Sequence, residues 1–202
     1  MTSYFSILSG IAPRSHSGRV DRPTGMRNRR PIVLSVLLAL PLFLAPAGAR
    51  SEGATSPRID EIFIDKSDHR LELRAQGHEV KTYRVAIGSG GTGPKRMEGD
   101  NVTPVGTYHV TGRIKGLFHN FLVVSYPNDE DRARYADLKK RGEVPEGHGV
   151  GNGIGIHGTG HKDWNGVHKE HDWTFGCVAL DDDEIDEVAA VVKDGTRIVI
   201  TD

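Results

Sequence analysis

The sequence is poor in cysteine and has no apolar run long enough to cross a membrane. A single cysteine, Cys177, occurs among 202 residues, which excludes an intrachain disulfide. The longest apolar run, residues 32–45, falls short of the roughly 20 residues that a membrane-spanning helix needs. A lone thiol is either an inert buried side chain or a reactive one, and the count alone leaves both open.

The N-terminal part of the chain has the composition of a secretory signal. A short basic stretch, an apolar run and the small residues Ala47-Gly48-Ala49 follow one another, which is the pattern that signal peptidase recognises. Cleavage there predicts a periplasmic protein with no stable membrane span. The predicted segments are an uncertain N-terminal extension at residues 1–25, a signal peptide at 26–49, a linker at 50–57 and one catalytic domain at 58–202.

The charge balance of the predicted mature chain argues against nucleic acid as a partner. Of 26 basic and 27 acidic residues, six arginines and one aspartate lie in residues 1–49, which leaves a formal net charge of −6. A net-acidic domain lacks the basic surface that binds phosphate backbones.

Short segments of alternating polarity predict a mainly β fold. Three such segments between residues 62 and 87 indicate a β-meander, and a long Gly-rich connection follows at residues 88–106. The continuous apolar run at residues 121–126 predicts a strand buried on both faces, and residues 197–201 predict the last strand.

Two helices are expected between these strands. Residues 129–141 are charged with few apolar positions, which predicts a polar helix on the surface. The carboxylates of residues 181–183 suit the N-cap of a second, amphipathic helix, whose end is predicted at Gly195.

Cys177 and His157 have the surroundings of a nucleophile and its base. A thiol with an ordinary pKa of about 8.5 is mostly protonated at neutral pH, and an imidazole can accept its proton and later protonate a leaving amine. His157 ends one apolar segment and Cys177 begins another, so the two side chains can meet. Gly176 permits a sharp bend, and the backbone N–H groups of Gly176 and Cys177 are the predicted oxyanion donors.

Two motifs accompany this pair. His157-Gly158 precedes Thr174-Phe175-Gly176-Cys177, and an upstream segment from Gly99 to Tyr108 contains Thr103-Pro104-x-Gly106-x-Tyr108. In this order they resemble the L,D-transpeptidase catalytic domain, also called the YkuD domain, over roughly residues 58–202.

The resemblance implies a β-sandwich or open barrel with one or two short helices, Cys177 as nucleophile and His157 as base. The implied substrate is a peptidoglycan stem peptide, cut after its meso-diaminopimelate (or equivalent) residue with loss of D-alanine. The acyl group then passes to an amine on another stem or to water, and no cofactor or metal is implied.

Six residues are candidates for substrate binding. Three belong to the motif and three are basic residues near the Gly-rich connection: Gly158, Thr174, Phe175, Lys95, Arg96 and Arg113. Trp164 and Trp173 either line a substrate groove or pack the loop between the two predicted catalytic residues.

Phe175 and Ala179 depart from the form S-H-G-C-[IV]-R that many family members carry. Phe175 stands in place of a histidine and Ala179 in place of an arginine, so neither donates a side-chain hydrogen bond. Residues 93–100 and 126–128 resemble the YafK-like branch, which includes an amidase that releases a lipoprotein from the wall. The alternatives to transpeptidation are therefore an L,D-carboxypeptidase or an amidase, with a wall-anchored lipoprotein as a further partner.

Two alternatives from other classes also follow from the residues. A zinc hydrolase is suggested by histidines that lie close in sequence, but Gly158 and Gly160 are poor helix residues and no glutamate follows the first histidine, so only a site built from loops fits. A wall-binding module that keeps the fold without the chemistry is the non-enzymatic alternative. The histidines concerned are His148, His157, His161, His168 and His171.

Overall fold

A computed structural model of the chain describes residues 57–202, and these form eight β-strands, two α-helices and two short 3-10 helices. The strands are β1 Glu61–Asp65, β2 Arg70–Ala75, β3 His78–Arg84, β4 Gly106–Gly116, β5 His119–Val124, β6 Gly155–His157, β7 Val178–Ala179 and β8 Arg197–Thr201. The helices are α1 Asp129–Lys140 and α2 Asp182–Val191, with 3-10 turns at Lys162–Trp164 and Val167–Glu170. The predicted extension, signal peptide and most of the linker lie outside the described residues.

All eight strands belong to one mixed sheet whose two ends meet. The strand order is β3-β2-β1-β8-β4-β5-β6-β7, and the β1/β8 and β6/β7 pairs are parallel. Ala86, two residues beyond β3, exchanges both backbone hydrogen bonds with Ala179 of β7, at 3.1 and 2.8 Å. The sheet therefore curls round as an open barrel, and the predicted mainly β fold is confirmed.

The predicted β-meander is the antiparallel run β1-β2-β3. Ile62 and Ile64 of β1 and Leu71 and Leu73 of β2 are buried in one apolar core, because alternate side chains of a strand face the same side. This core extends through β4, β5 and β8 and includes the apolar face of α2.

The prediction that residues 121–126 are buried on both faces is wrong. Leu122, Val124 and Tyr126 are buried, whereas the residues between them are only half-buried. The half-buried face does not meet a second core layer, because there the ring of Phe121 stacks on the imidazole of His157 at 5.5 Å. One face of this strand therefore packs into the core, and on the other face Phe121 contacts the candidate site.

The polar helix α1 matches its prediction closely. Asn128 caps its N-terminus, and the carboxylate of Asp131 accepts the Asn128 backbone N–H at 3.1 Å. Asp131 and Leu138 are its buried residues, and the buried carboxylate accepts the Tyr108 hydroxyl at 3.0 Å. This bond ties the helix to strand β4.

The amphipathic helix α2 begins as predicted but ends earlier. Asp181 is its N-cap, and the Glu184 carboxylate accepts the Asp181 backbone N–H at 3.0 Å. The end predicted at Gly195 is wrong, because Val192 already has extended backbone and is buried in the core. Gly195, at φ +86°, instead makes the turn into β8. Within residues 57–202 no helix is long and apolar enough to cross a membrane.

Gly155 of β6 is a position at which we expect a methyl group to destabilise the fold. A Cβ built there would lie 2.1 Å from a ring carbon of Phe121 and 2.9 Å from the Leu122 carbonyl oxygen. The ring must move, so Gly155→Ala is expected to cost about 1–3 kcal/mol in the free energy of unfolding. Urea denaturation measures this.

Gly112 of β4 is the matched control, because a Cβ there meets no atom within 4 Å. Gly112→Ala should leave the free energy of unfolding almost unchanged. Equal losses in the two variants would contradict the steric argument.

Candidate active site

The parallel pairing of β6 with β7 brings Cys177 and His157 to neighbouring strands. Ile156 is opposite Val178, and His157 is opposite Ala179. Extending this register by one residue places Cys177 opposite Gly155, so its side chain and that of His157 leave the same face of the pair. A two-residue offset along strands about 4.8 Å apart corresponds to roughly 8 Å between the two Cα atoms.

The imidazole of His157 is held in one tautomer and is buried. Its Nδ1 lies 2.6 Å from the carbonyl oxygen of Gly158, and because a carbonyl only accepts, Nδ1 carries the proton. Nε2 is then free to accept a proton. Phe118 at 4.7 Å, Phe121 at 5.5 Å and Trp173 at 5.9 Å surround the ring, which is 2% exposed.

Burial keeps both groups uncharged. Burial lowers the pKa of His157 below its usual value. The hydrogen bond to Gly158 raises this pKa in part, and the neighbouring His168 lowers it further. Burial raises the pKa of the Cys177 thiol, while the backbone N–H of Gly155 and the charge of Lys95 oppose that rise. The resting pair is therefore a neutral thiol and a neutral imidazole.

The thiol is partly exposed and does not bond to the imidazole in this state. Its Sγ lies 3.6 Å from the carbonyl oxygen of Gly153, and within the described residues no hydrogen bond joins it to His157. The thiol must therefore leave the Gly153 carbonyl before it can pass a proton to Nε2.

Two threonines from the two sequence motifs contact the backbone carbonyl of Cys177. The hydroxyl of Thr174 donates to the carbonyl oxygen of Cys177 at 2.6 Å, and the hydroxyl of Thr103 lies 3.5 Å from the same oxygen. Both threonines are buried. Thr174, predicted to bind substrate, thus holds the backbone of Cys177.

Gly176 is required by its conformation, but its N–H is already engaged. Its φ of +122° is strained for any residue with a side chain, and a Cβ there would meet the Val102 carbonyl oxygen at 2.9 Å. The N–H donates to the Thr174 hydroxyl at 3.2 Å, whereas the Cys177 N–H has no acceptor within the described residues. Of the two predicted oxyanion donors, the Cys177 N–H is the free one.

The other candidate residues of the motif have different surroundings. Gly158 is buried, and a Cβ there would lie 2.5 Å from a carboxylate oxygen of Asp182, so its contribution is its carbonyl group. Phe175, next to the nucleophile turn, is 82% exposed and is available to a ligand. Trp173 packs the loop, and Trp164 is exposed.

Lys95 and Arg96 already have carboxylate partners. The Lys95 ammonium group is 2.5 Å from Asp100 and buried, yet it lies near enough to Cys177 to favour the thiolate. Arg96 is exposed and pairs with Glu143 at 2.5 Å.

Arg113, predicted to bind substrate, contacts the C-terminal end of α2. Its guanidinium donates to the carbonyl oxygen of Ala189 at 2.9 Å and to that of Val192. These are unpaired carbonyls at the C-terminal end of α2, so Arg113 caps that helix. Its partners are 76 and 79 positions away, so the sequence near the Gly-rich connection does not reveal this contact.

Sequence reasoning missed the two aspartates that anchor the loop between His157 and Cys177. Asp182 Oδ1 accepts the backbone N–H groups of Thr159 at 2.8 Å and Gly160 at 2.9 Å. Asp181 Oδ1 accepts the Gly166 N–H at 2.6 Å. The N-cap pattern at residues 181–183 was the available signal, but it pointed only to the start of the helix.

The clustered histidines have separate partners. No group of three or more histidine, cysteine, aspartate or glutamate side chains is placed to hold a metal ion anywhere in residues 57–202. His161 packs on Trp164 at 5.5 Å, His168 lies 2.9 Å from Asp181, and His148 Nδ1 lies 3.0 Å from a backbone carbonyl.

Comparison with known proteins adds a family match. The family described as the L,D-transpeptidase catalytic domain, YkuD, matches residues 59–200. The helical cell shape determining protein Pgp2 from Campylobacter jejuni has a similar structure, with a TM-score of 0.54 and 22% identity over 71% of this chain and 48% of that chain. No curated protein matched.

Two further solved structures show weaker similarity. Bd1075 from Bdellovibrio bacteriovorus has a TM-score of 0.47 and 24% identity over 72% of this chain and 48% of that one. An L,D-transpeptidase from Xylanimonas cellulosilytica has a TM-score of 0.46 and 15% identity over 73% of this chain and 62% of that one. This chain spans about half the length of the Pgp2 and Bd1075 chains.

The two pKa shifts predict how alkylation of Cys177 by iodoacetamide depends on pH. A charged imidazole cannot accept the thiol proton, so the alkylation rate should rise as the pH increases and His157 loses its own proton. Because burial lowers the pKa of His157, this first rise (the acid limb) should occur below the usual histidine range. A second rise should follow above the usual thiol range, because burial disfavours the thiolate.

The matched variant is His157→Ala, which should lose the acid limb, react more slowly near neutral pH and keep only the upper rise. A single rise at the ordinary thiol value in the native protein would contradict both shifts.

Arg113→Ala should affect stability and not the thiol. Removing the guanidinium leaves the last carbonyls of α2 without their donor, so we expect a loss of about 1 kcal/mol in the free energy of unfolding. Thermal denaturation checks the loss, and the alkylation rate of Cys177 should match that of the native protein. A changed alkylation rate with an unchanged free energy of unfolding would indicate that Arg113 acts at the site and does not cap α2.

Proposed function

The chain belongs to the L,D-transpeptidase catalytic domain (YkuD) family, and from this premise we propose that Cys177 attacks a peptidoglycan stem peptide with His157 as its base. Members of the family are L,D-transpeptidases, which act on peptidoglycan peptides. The proposed reaction cleaves the bond after the meso-diaminopimelate (or equivalent) residue of the stem, releases D-alanine and transfers the acyl group to an amine.

The observation that carries the proposal is the state of the imidazole. His157 Nδ1 donates to the Gly158 carbonyl, which leaves Nε2 as a proton acceptor on the face shared with the Cys177 side chain. A base in this tautomer, two residues along a neighbouring strand from a partly exposed thiol, suits nucleophilic acyl transfer.

The proposed first half-reaction forms a thioester. As Sγ of Cys177 bonds to the substrate carbonyl carbon, the thiol proton passes to Nε2 of His157. The Cys177 N–H donates to the oxygen that becomes negatively charged. The carbon–nitrogen bond then breaks while His157 returns the proton to the leaving amine.

The second half-reaction reverses these steps. An acceptor amine attacks the thioester carbonyl carbon and gives its proton to His157. The carbon–sulfur bond breaks, and the thiolate takes the proton back from the imidazolium. Two buried neutral groups suit these reaction steps, because neither the thiol nor the imidazole is a buried, unpaired charge before the reaction begins.

Hydrolysis is the second candidate, favoured by the partners of the basic residues. Lys95 and Arg96 pair with carboxylates, and Ala179 is fully buried and bonded to Ala86. Neither Lys95 nor Arg96 is therefore a free cation for the carboxylates of a second stem peptide, which an acceptor site must hold. Water as acceptor makes the protein an L,D-carboxypeptidase or an amidase acting on a lipoprotein link to the wall.

The location is part of the proposal. The signal-like pattern at residues 26–49 supports export to the periplasm, where peptidoglycan is the available substrate. The proposed partners are stem peptides and, for the amidase reaction, a wall-anchored lipoprotein.

Mass spectrometry of tetrapeptide muropeptides incubated with the protein tests the proposal. We expect loss of D-alanine together with new cross-linked dimers, and a thioester adduct on Cys177 at early times. Cys177→Ala is the control and should fold normally but give neither product, because no other side chain in the chain is a thiol.

The other results separate the alternatives. Loss of D-alanine without dimers indicates a carboxypeptidase. Cleavage of a lipoprotein-linked muropeptide alone indicates the amidase. Binding to cell-wall sacculi that is equal in the native protein and Cys177→Ala, without turnover of either substrate, would refute the enzyme and support a wall-binding module.

A further inference from the structure

Trp173 lies between the imidazole of His157 and a second, buried histidine. Its ring meets His157 edge-on at 5.9 Å and an interplanar angle of 75°, and it meets His168 at 6.1 Å and 87°. The indole Nε1 lies 3.4 Å from Nδ1 of His168. One residue of the loop therefore contacts both rings.

The second histidine has a tautomer that these contacts determine. An indole N–H only donates, so Nδ1 of His168 must be the unprotonated nitrogen. Its Nε2 then carries the proton and donates to Asp181 Oδ1 at 2.9 Å. Both contacts hold together only while His168 is neutral, because a charged imidazole has no acceptor nitrogen for the indole.

The aspartate is itself rigidly placed. Asp181 Oδ1 also accepts the Gly166 N–H at 2.6 Å, and Oδ2 accepts the Lys169 ammonium group at 2.9 Å. The side chains of His168 and Lys169 are 1% and 6% exposed, so these bonds are shielded from water. Asp181 follows Cys177 by four residues and caps α2.

We propose that Trp173 is a positioning residue for the imidazole of His157, and that Asp181 holds it in place through His168. This inference rests on the proposed role of His157 as the base for Cys177. The chain of contacts runs from Asp181, the N-cap of α2, through His168 and Trp173 to the imidazole of His157. It ties the base to the same short segment, residues 177–181, that carries the nucleophile.

The charged groups around His168 fit this arrangement. Burial lowers the pKa of His168 below its usual value, against the opposing effect of its bond to Asp181, while Lys169 lowers it further and Glu184 raises it. The lowered pKa favours the neutral form of His168, and this is the form that can accept the indole N–H.

Trp173→Phe and His168→Gln each remove one side of the contact. Phenylalanine keeps an aromatic ring beside His157 but has no N–H, and glutamine keeps a donor for Asp181 but loses the ring acceptor. We expect either change to lower the plateau rate of Cys177 alkylation by iodoacetamide about two- to tenfold. The acid limb should move to higher pH, because a loosened ring admits water to His157.

Three comparisons make the test specific. The double variant should be no slower than the slower single variant, because both changes break the same bond. Tyr83→Phe removes another buried aromatic donor, whose partner is Glu187 at 3.1 Å, and should leave the alkylation profile unchanged. Thermal denaturation identifies losses that come only from reduced stability.

The outcomes separate this inference from the function on which it rests. A lower melting temperature with the native alkylation profile in both single variants, or additive effects in the double variant, would overturn the positioning role alone. A native profile in His157→Ala would overturn the base, and this proposal with it. Alkylation needs no peptidoglycan, so failure to find a wall substrate does not affect the readout.

Discussion

The parallel pairing of β6 with β7 is the constraint on which the candidate site depends. Strand β7 has only two residues, so its own ladder is too short to fix its position. Ala86 bonds to Ala179 from the other side, and Thr103 and Thr174 hold the carbonyl of Cys177. Cys177 is thus held by its near neighbour Thr174 and by two segments far away in sequence, around Ala86 and Thr103.

Closure of the sheet also sets the electrostatics of the site. Because β5 and β6 are neighbours, Phe121 of β5 stacks on His157 and removes it from water. The same burial that lowers the imidazole pKa raises that of the thiol, so the neutral form of both groups is favoured. In the proposed reaction, the proton would therefore pass from thiol to imidazole during the attack, and the two groups would not form an ion pair beforehand.

The sequence predicted those features of the fold that depend on residues close together in the chain. The meander, the capped start of α2 and the position of Cys177 near His157 follow from periodicity and from short motifs. The roles of Arg113 and the two N-cap aspartates did not follow, because each depends on a partner that is distant in sequence. The Arg113 guanidinium, for example, meets carbonyls of α2 that only the completed fold brings to β4.

The surroundings of Phe175 and Ala179 explain why these residues can differ from the histidine and arginine that many family members carry. An arginine at position 179 would have to replace a fully buried methyl group whose backbone bonds to Ala86, at the point where the sheet closes. Burying an unpaired guanidinium there would cost far more than the packing it displaced. The barrel of this chain therefore closes with a neutral side chain at position 179, and the exposed ring of Phe175 lies on the other side of Cys177 in the sequence. Under the proposed function, a stem peptide at Cys177 would meet the apolar ring of Phe175 at this position.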